Sequence, residues 1–528
     1  MAALPGIAHT DSPNEMLDSR PERYKKGLFE PDAFEGAAPP FTRRDFLGAA
    51  GGMTLLPLLG GESADAATAE ATATRQRKQA IVVGAGIGGL TAALELSRAG
   101  LDVTLLESTS RPGGRIESRM FDGVAANLGS QWIIPGVNPL IDSFLARIPQ
   151  QPLGNKGGGM ALVWDGKLID VGGDDFLAAL PFGDKAKADI AASIVKMKRD
   201  AAALYPGVDF DRARNWDYVY DLPMDTPLWR KLETMSVADY LAEFDPVVTT
   251  IWGTRVSAGF GGTPETISAL FLVGWYRGNV FFPISILKGG NDRLTDDMAA
   301  AFAAGGGTIR YGTSATAITQ DARKVTVACA DGAAHVADYC VVTLPAAPTR
   351  RIVKGMSVAK DASLAAIEYV PLTSIAMHVK NFPDADRLSA AMYVNGATAA
   401  VANQTGPIAG RPKEGTVILV CVTDAKKTGL PERELLEMAG KDLRAISPTF
   451  DLGRDLIAHA VKPYEVGEVH VMPGFLSKHH RVLGEPVGRV HFGGEFVSNF
   501  PTWGGAAWGG QRAARNIVEA IAAEARTA

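Results

Sequence analysis

The segment Gly84-Ala85-Gly86-Ile87-Gly88-Gly89 carries glycines in the GxGxxG spacing, and an acid, Glu107, follows about twenty residues later. Each residue type has a reason to be there. Gly84 permits a tight turn, Gly86 lets the backbone approach a pyrophosphate, and Gly89 allows a helix to pack closely on a strand. The N-terminus of that helix, beginning near Ile87 and Gly88, offers free N–H groups and a partial positive charge to phosphates. A carboxylate at Glu107 accepts hydrogen bonds from ribose hydroxyls and repels a 2′-phosphate, so FAD or NAD fits and NADP does not.

The elements that must position these residues are legible around them. Gln79 to Val83 is a short apolar run suited to a buried parallel strand, Leu90 to Arg98 has helical spacing, and Asp102 to Leu106 is a second apolar run ending at Glu107. No second unit of this kind is complete. Gly305-Gly306-Gly307 follows a helix-like stretch, and Gly259 to Gly262 follows no apolar strand. A separate nicotinamide reductant is therefore not expected, and the substrate should supply the electrons.

A chain of 528 residues divides into two or more domains, and 46% hydrophobic with 21% charged residues is a globular composition. The net charge of −5 comes without a long basic block, which excludes nucleic acid as an expected partner. Cys329, Cys340 and Cys421 form no metal-ligand spacing, and no metal is expected; Cys340 and Cys421 lie in apolar runs and read as core residues. His479-His480 reads as a solvated loop feature.

Directly after the first unit, Arg111-Pro112-Gly113-Gly114-Arg115 resembles the GGR signature of the flavin-containing amine oxidase superfamily, which includes monoamine and polyamine oxidases, L-amino acid oxidases, protoporphyrinogen oxidase and phytoene desaturases. The resemblance favours FAD over NAD and continues along most of the chain. Asn127-Leu128-Gly129-Ser130-Gln131-Trp132 is similar to the segment that runs past the flavin ring, and Leu287-Lys288-Gly289-Gly290 to an internal GG motif. Gly306 to Ile309 and Ala315 to Ile318 are similar to strands that reach the adenine edge. Near the C-terminus, Arg489 to Glu495 followed by Gly504-Gly505-Ala506-Ala507 resembles the family's closing strand, glycine turn and helix. The resemblance implies that Gly494 and Glu495 hold the ribityl and pyrophosphate, that the helix beginning at Gly505 and Ala506 points its N-terminus at the pyrimidine end of the flavin, and that Trp503 stands near the flavin. Aromatic residues Trp275, Tyr276, Phe281, Phe282, Phe500, Trp503 and Trp508 gather where the family lines its substrate cavity.

Three departures bear on chemistry. The family's lysine beside flavin N5 aligns with Met377, its covalent cysteine with Val466, and its tyrosine pair with Gly467 and Thr502, leaving Trp503 and Tyr464 as replacements. FAD should then be non-covalent. Trp503, Met377 and Gln131 are the candidate catalytic residues. The leading expectation is oxidation of a C–N bond in an apolar or aromatic amine by hydride transfer to flavin N5 and imine hydrolysis. The alternatives are C–C oxidation, desaturation or isomerisation of an apolar substrate, and a non-catalytic flavoprotein. Besides the small-molecule substrate, the partner is an electron acceptor, either oxygen or, since a thioether at Met377 offers no charge to stabilise superoxide, a quinone or cytochrome. A homodimer is allowed.

The expected fold is α/β, a Rossmann-type FAD-binding domain (79–150, 285–345 and 458–528) interleaved with a mixed α+β substrate domain (151–284 and 346–457). Residues 1–78 read as a leader: Thr42-Arg43-Arg44-Asp45-Phe46-Leu47 resembles a twin-arginine signal, followed by an apolar stretch to Leu59 and the small-x-small pattern Ala64-Asp65-Ala66. This implies the twin-arginine translocase as a partner and a periplasmic or secreted location. Changing Arg43-Arg44 to Lys-Lys should hold the protein in the cytoplasm on fractionation; unaltered export would remove the signal reading.

Overall fold

The computed structural model describes residues 77–133, 138–153, 161–171, 176–206, 226–274, 284–382, 390–394, 396–406, 408–498 and 502–527. The leader and its arginine pair lie outside them, as do Trp275, Tyr276, Phe281, Phe282 and Phe500. The described chain forms two units, each assembled from separated segments.

The first, the nucleotide unit, gathers the described parts of the chain up to Ser118 with Asn291–Glu368 and the end of the chain from Lys478. Its core is a five-stranded parallel sheet in the order Val490–Phe492, Tyr339–Val342, Gln79–Val83, Asp102–Leu106, Thr308–Arg310. The central strands are apolar along most of their length, as a sheet covered on both faces requires. The helices Ile87–Arg98 and Trp503–Thr527 meet on it through glycine: a β-carbon on Gly510 would stand 2.0 Å from the Gly88 carbonyl oxygen. A small antiparallel sheet, Ala315–Gln320, Val325–Cys329 and Ala334–Ala337, completes the unit's strands.

The second unit holds Arg119–Gly290 and Tyr369–Ser477. Seven strands run in the order Leu456–Val469, Tyr369–Val379, Thr416–Val422, Ala400–Asn403, Ala390–Tyr393, Ala161–Trp164, Lys167–Asp170, antiparallel except between Ala161–Trp164 and Ala390–Tyr393. The amphipathic helix Glu432–Ile446 buries Leu435, Leu436, Ala439 and Leu443 on one face of this sheet. Helices Asp184–Leu204 and Pro246–Phe260 belong to the same unit. Here the expected boundaries move. The strand Leu456–Val469 pairs along its length with Tyr369–Val379, so residues 458–477 belong with the second unit, as do 119–150 and 285–290, while 346–368 belong with the nucleotide unit.

The histidine pair also departs from expectation: it lies in the helix Phe475–Gly484, and His480 is buried. Burial, reinforced by Arg512, pushes the His480 pKa down to about 3, and burial alone pushes His491 down to about 4. Both are neutral in the fold, while an unfolded histidine titrates near pH 6.5. As pH falls from 6.5 toward those values the unfolded chain binds more protons, so stability is lost on acidification. Urea denaturation between pH 4 and 7 should show that loss, and replacing His480 and His491 by Gln should flatten the slope by about one proton per histidine.

Candidate active site

Within the nucleotide unit the glycine turn has the construction that its residue types demand. Gly84 has φ +102°, a conformation that L side chains rarely adopt. A β-carbon on Gly89 would lie 1.8 Å from the Gly84 carbonyl oxygen, so this position closes helix onto turn. Gly86 is different: a β-carbon there meets no protein atom within 4 Å, and its backbone is extended. The space beside Gly86 is open while its neighbours are tightly packed. Helix Ile87–Arg98 begins here with no side-chain cap and no acid in its first turn, leaving N–H groups for an anion.

Glu107 is buried and already oriented. Its carboxylate accepts from Ala85 N at 2.8 Å and from Thr109 N and Oγ1 at 2.8 Å each. Gly113 N donates to the Ala85 carbonyl at 2.8 Å, and Gly114 lies against Gly86, so the GGR segment folds back on the turn. Arg115 reaches the buried Glu495 carboxylate at 2.7 Å. Burial raises the Glu495 pKa, while the Arg115 guanidinium acts to lower it. Gly494, at φ +90°, and Gly88 both approach the start of the closing helix, where a β-carbon on Gly88 would stand 2.7 Å from the Ala506 carbonyl oxygen. Thr502 Oγ1 accepts from Gly505 N at that helix's N-terminus, and Trp503, its first residue, is partly buried. Ala315 opens the strand Ala315–Gln320 in the same unit.

Two contributions are missed by reading the sequence. Thr343 Oγ1 donates to the carbonyls of Val83 and Gly84 at 3.0 and 3.1 Å, buttressing the turn, and Gly509 and Gly510 make the helix contact possible. An isolated threonine after an apolar strand carries no signal for the first. The Gly509-Gly510 pair, inside a helical pattern, is a readable one for the second.

Gly129, Ser130, Gln131 and Trp132 belong to the second unit. Gln131 Nε2 donates to Ser374 Oγ at 3.2 Å, and Cys421 Sγ donates to Gln131 Oε1 at 2.7 Å, so this glutamine tethers its segment to two neighbouring strands. Asn127 bonds Gln404 in the same way, and the buried Trp132 Nε1 has no hydrogen-bond partner among the described residues. Met377 does not join them. It is fully buried on the opposite sheet face, among Ile375, Val379, Val420 and the helix residues Leu435, Ala439 and Leu443. Ser374 and Ala376 face the Gln131 side, where Ala376 packs with Phe121, Val124 and Leu128. The reason is the strand's own alternation: Met377 shares its parity with Ile375 and Val379, which face the helix Glu432–Ile446, whereas Ser374 and Ala376 face the other way.

A parallel sheet with an open glycine turn, an acid at the end of its second strand and a second glycine turn before a closing helix defines a dinucleotide-binding flavoprotein fold. The chain belongs to the flavin containing amine oxidoreductase family, whose model matches residues 87–518. Polyamine oxidase 7 of Oryza sativa subsp. japonica is 43% identical over 63 residues, 12% of this chain and 13% of that protein. The zeta-carotene-forming phytoene desaturase of Myxococcus xanthus is 45% identical over 58 residues, 11% of each chain. The chain thus matches only a small part of the length of these curated relatives. The solved structure of putrescine oxidase bound to putrescine shares the fold at a TM-score of 0.68 and 19% identity, covering 84% of this chain and 99% of that one.

Replacing Gly86 by Ala should leave the fold intact, yet weaken flavin retention by about 1–3 kcal/mol, the usual cost of overpacking a fitted site. Gly89→Ala should instead damage the fold itself. Flavin absorbance after gel filtration, read beside the melting temperature, separates the two; equal loss of stability in both variants would refute the distinction.

Proposed function

We propose that the protein is an FAD-dependent enzyme that oxidises the C–N bond of an apolar or aromatic amine, giving an imine that water hydrolyses to a carbonyl compound and ammonia or a smaller amine. The observation that carries this reading is the nucleotide unit: an open Gly86, an uncapped helix N-terminus, a preset Glu107 and the Arg115–Glu495 pair in one unit of a chain from the amine oxidoreductase family. FAD, held non-covalently because Val466 stands where the family's linking cysteine would be, supplies a two-electron acceptor for hydride.

The chain's own residues do the rest. Glu107 accepts from the adenosine ribose, and its bonds to Ala85 and Thr109 hold it in place beforehand. The N–H groups from Ile87 to Gly89 meet the pyrophosphate, and the positive end of the closing helix favours negative charge near it. Gln131, fixed by Ser374 and Cys421, contributes a neutral amide to the second unit.

The likeness to the phytoene desaturase supports a second reading, C–C desaturation or isomerisation of an apolar substrate. The acceptor is oxygen, a quinone or a cytochrome, and the twin-arginine segment supports action after export. With Met377 buried in an aliphatic core, its identity no longer argues for any one acceptor.

Anaerobic addition of amines, amino acids and polyunsaturated compounds to the purified holoprotein should bleach the flavin's visible absorbance with amines. The product should be a carbonyl compound with released ammonia or amine. An unsaturated product without nitrogen release would establish the second reading, and an unchanged spectrum throughout would overturn both.

A further inference from the structure

In the nucleotide unit the segment from Arg111 to Glu117 is wound around one guanidinium. Arg111 Nη1 donates to the carbonyls of Pro112 and Ile116, both at 2.9 Å, and Nη2 donates to the Gly114 carbonyl and to the Glu117 carboxylate, both at 2.8 Å. We propose that Arg111 is a positioning residue for the FAD pyrophosphate: it gathers the carbonyls of the GGR loop onto its own side chain and so keeps their negative ends away from the open space beside Gly86. The proposal rests on the FAD reading and is indifferent to what the flavin oxidises.

The loop lies against that space. Gly113 N donates to the Ala85 carbonyl at 2.8 Å, Gly113 and Gly86 form an isolated parallel bridge, and a β-carbon on Gly114 would stand 3.5 Å from Gly86 Cα. A loop this close to an anion site must offer it N–H groups, because a carbonyl oxygen carries partial negative charge and repels phosphate. Its backbone is free to turn either way. Gly113 at φ +105° and Gly114 at φ +57° are adjacent glycines, and the peptide between them meets little steric resistance to turning over. Arg111 removes that freedom. Nη2 holds the Gly114 carbonyl and Ile116 N donates to the Gly113 carbonyl at 2.9 Å, while the N–H of the exposed Gly114 makes no hydrogen bond among the described residues.

The shape of the guanidinium matters more here than its charge. Glu117 balances the charge at 2.8 Å, and two nitrogens each serve two acceptors, an arrangement that a single ammonium cannot reproduce. The winding also explains the glycine at position 113, where a β-carbon would stand 2.6 Å from the Ile116 carbonyl oxygen and 3.2 Å from Arg111 Nη1. Thr109 Oγ1 lies 2.8 Å from Glu107 Oε1 and 2.9 Å from the Arg111 carbonyl oxygen, so the start of the loop is tied to the acid that receives the ribose. The Arg111 side chain is 37% exposed, and carbonyls released by its replacement can turn to water without unfolding the sheet beneath.

Phosphorus NMR of the purified holoprotein reads the diphosphate directly, without turnover. Arg111→Lys keeps the charge and loses the fork; its diphosphate resonances should be displaced or broadened relative to the wild type, and FAD should leave on dilution at least about tenfold faster, since charge-assisted hydrogen bonds are lost. Glu117→Gln leaves the three carbonyl bonds but loosens the Nη2 anchor. It should move the same resonances by less, and it decides the matter alone if the lysine variant does not fold. A winding that served stability only would lower the melting temperature and leave the phosphorus resonances of the folded holoprotein in place. Unmoved resonances therefore overturn the proposal, whatever the melting temperature does, and leave the FAD reading standing. A wild-type protein that carries no diphosphate signal would overturn both.

Discussion

The nucleotide unit depends on backbone packed against backbone. The Gly88 carbonyl occupies the position that a side chain on Gly510 would need, the Gly494 carbonyl that of one on Gly509, and the Ala506 carbonyl that of one on Gly88. Two helices can approach this closely only when neither carries a β-carbon at the crossing, and the approach brings both helix N-termini to one end of the parallel sheet. The uncapped N–H groups of Ile87–Arg98 and the aligned dipoles of both helices are thereby directed to that end. Glu107 and the Arg115–Glu495 pair are arranged around that convergence, and their geometry follows from it.

Much of this is legible in the sequence because it is local. A strand, a glycine turn, a helix and a terminal acid within some thirty residues each have one physical reason, and the reasons agree. The closing segment is legible for the same cause. Gln131 stands out only for the segment it sits in; its partners Ser374 and Cys421 lie more than two hundred residues away, and no spacing rule could name them.

Inferences that need a partner fare worse. Position along a strand does not say which face of the sheet meets which neighbour, and the face that Met377 shares with Ile375 and Val379 is covered by the distant helix Glu432–Ile446. Residues 458–477 precede the C-terminal landmark and so look continuous with it, but a strand goes where its hydrogen bonds are satisfied, and those of Leu456–Val469 are satisfied by Tyr369–Val379. His480 looks solvated on polarity alone, although the amphipathic helix that carries it turns it inward.

The order of strands in the parallel sheet has a consequence for biogenesis. The strand Val490–Phe492 forms one edge, and the helix Trp503–Thr527 packs against the first glycine turn, so a later segment of the chain completes a part made well before it. Until that later segment is made, the first strand, turn and helix wait without Glu495, Gly509 or Gly510. The unit is therefore completed by contacts of long sequence separation and not by its first elements alone.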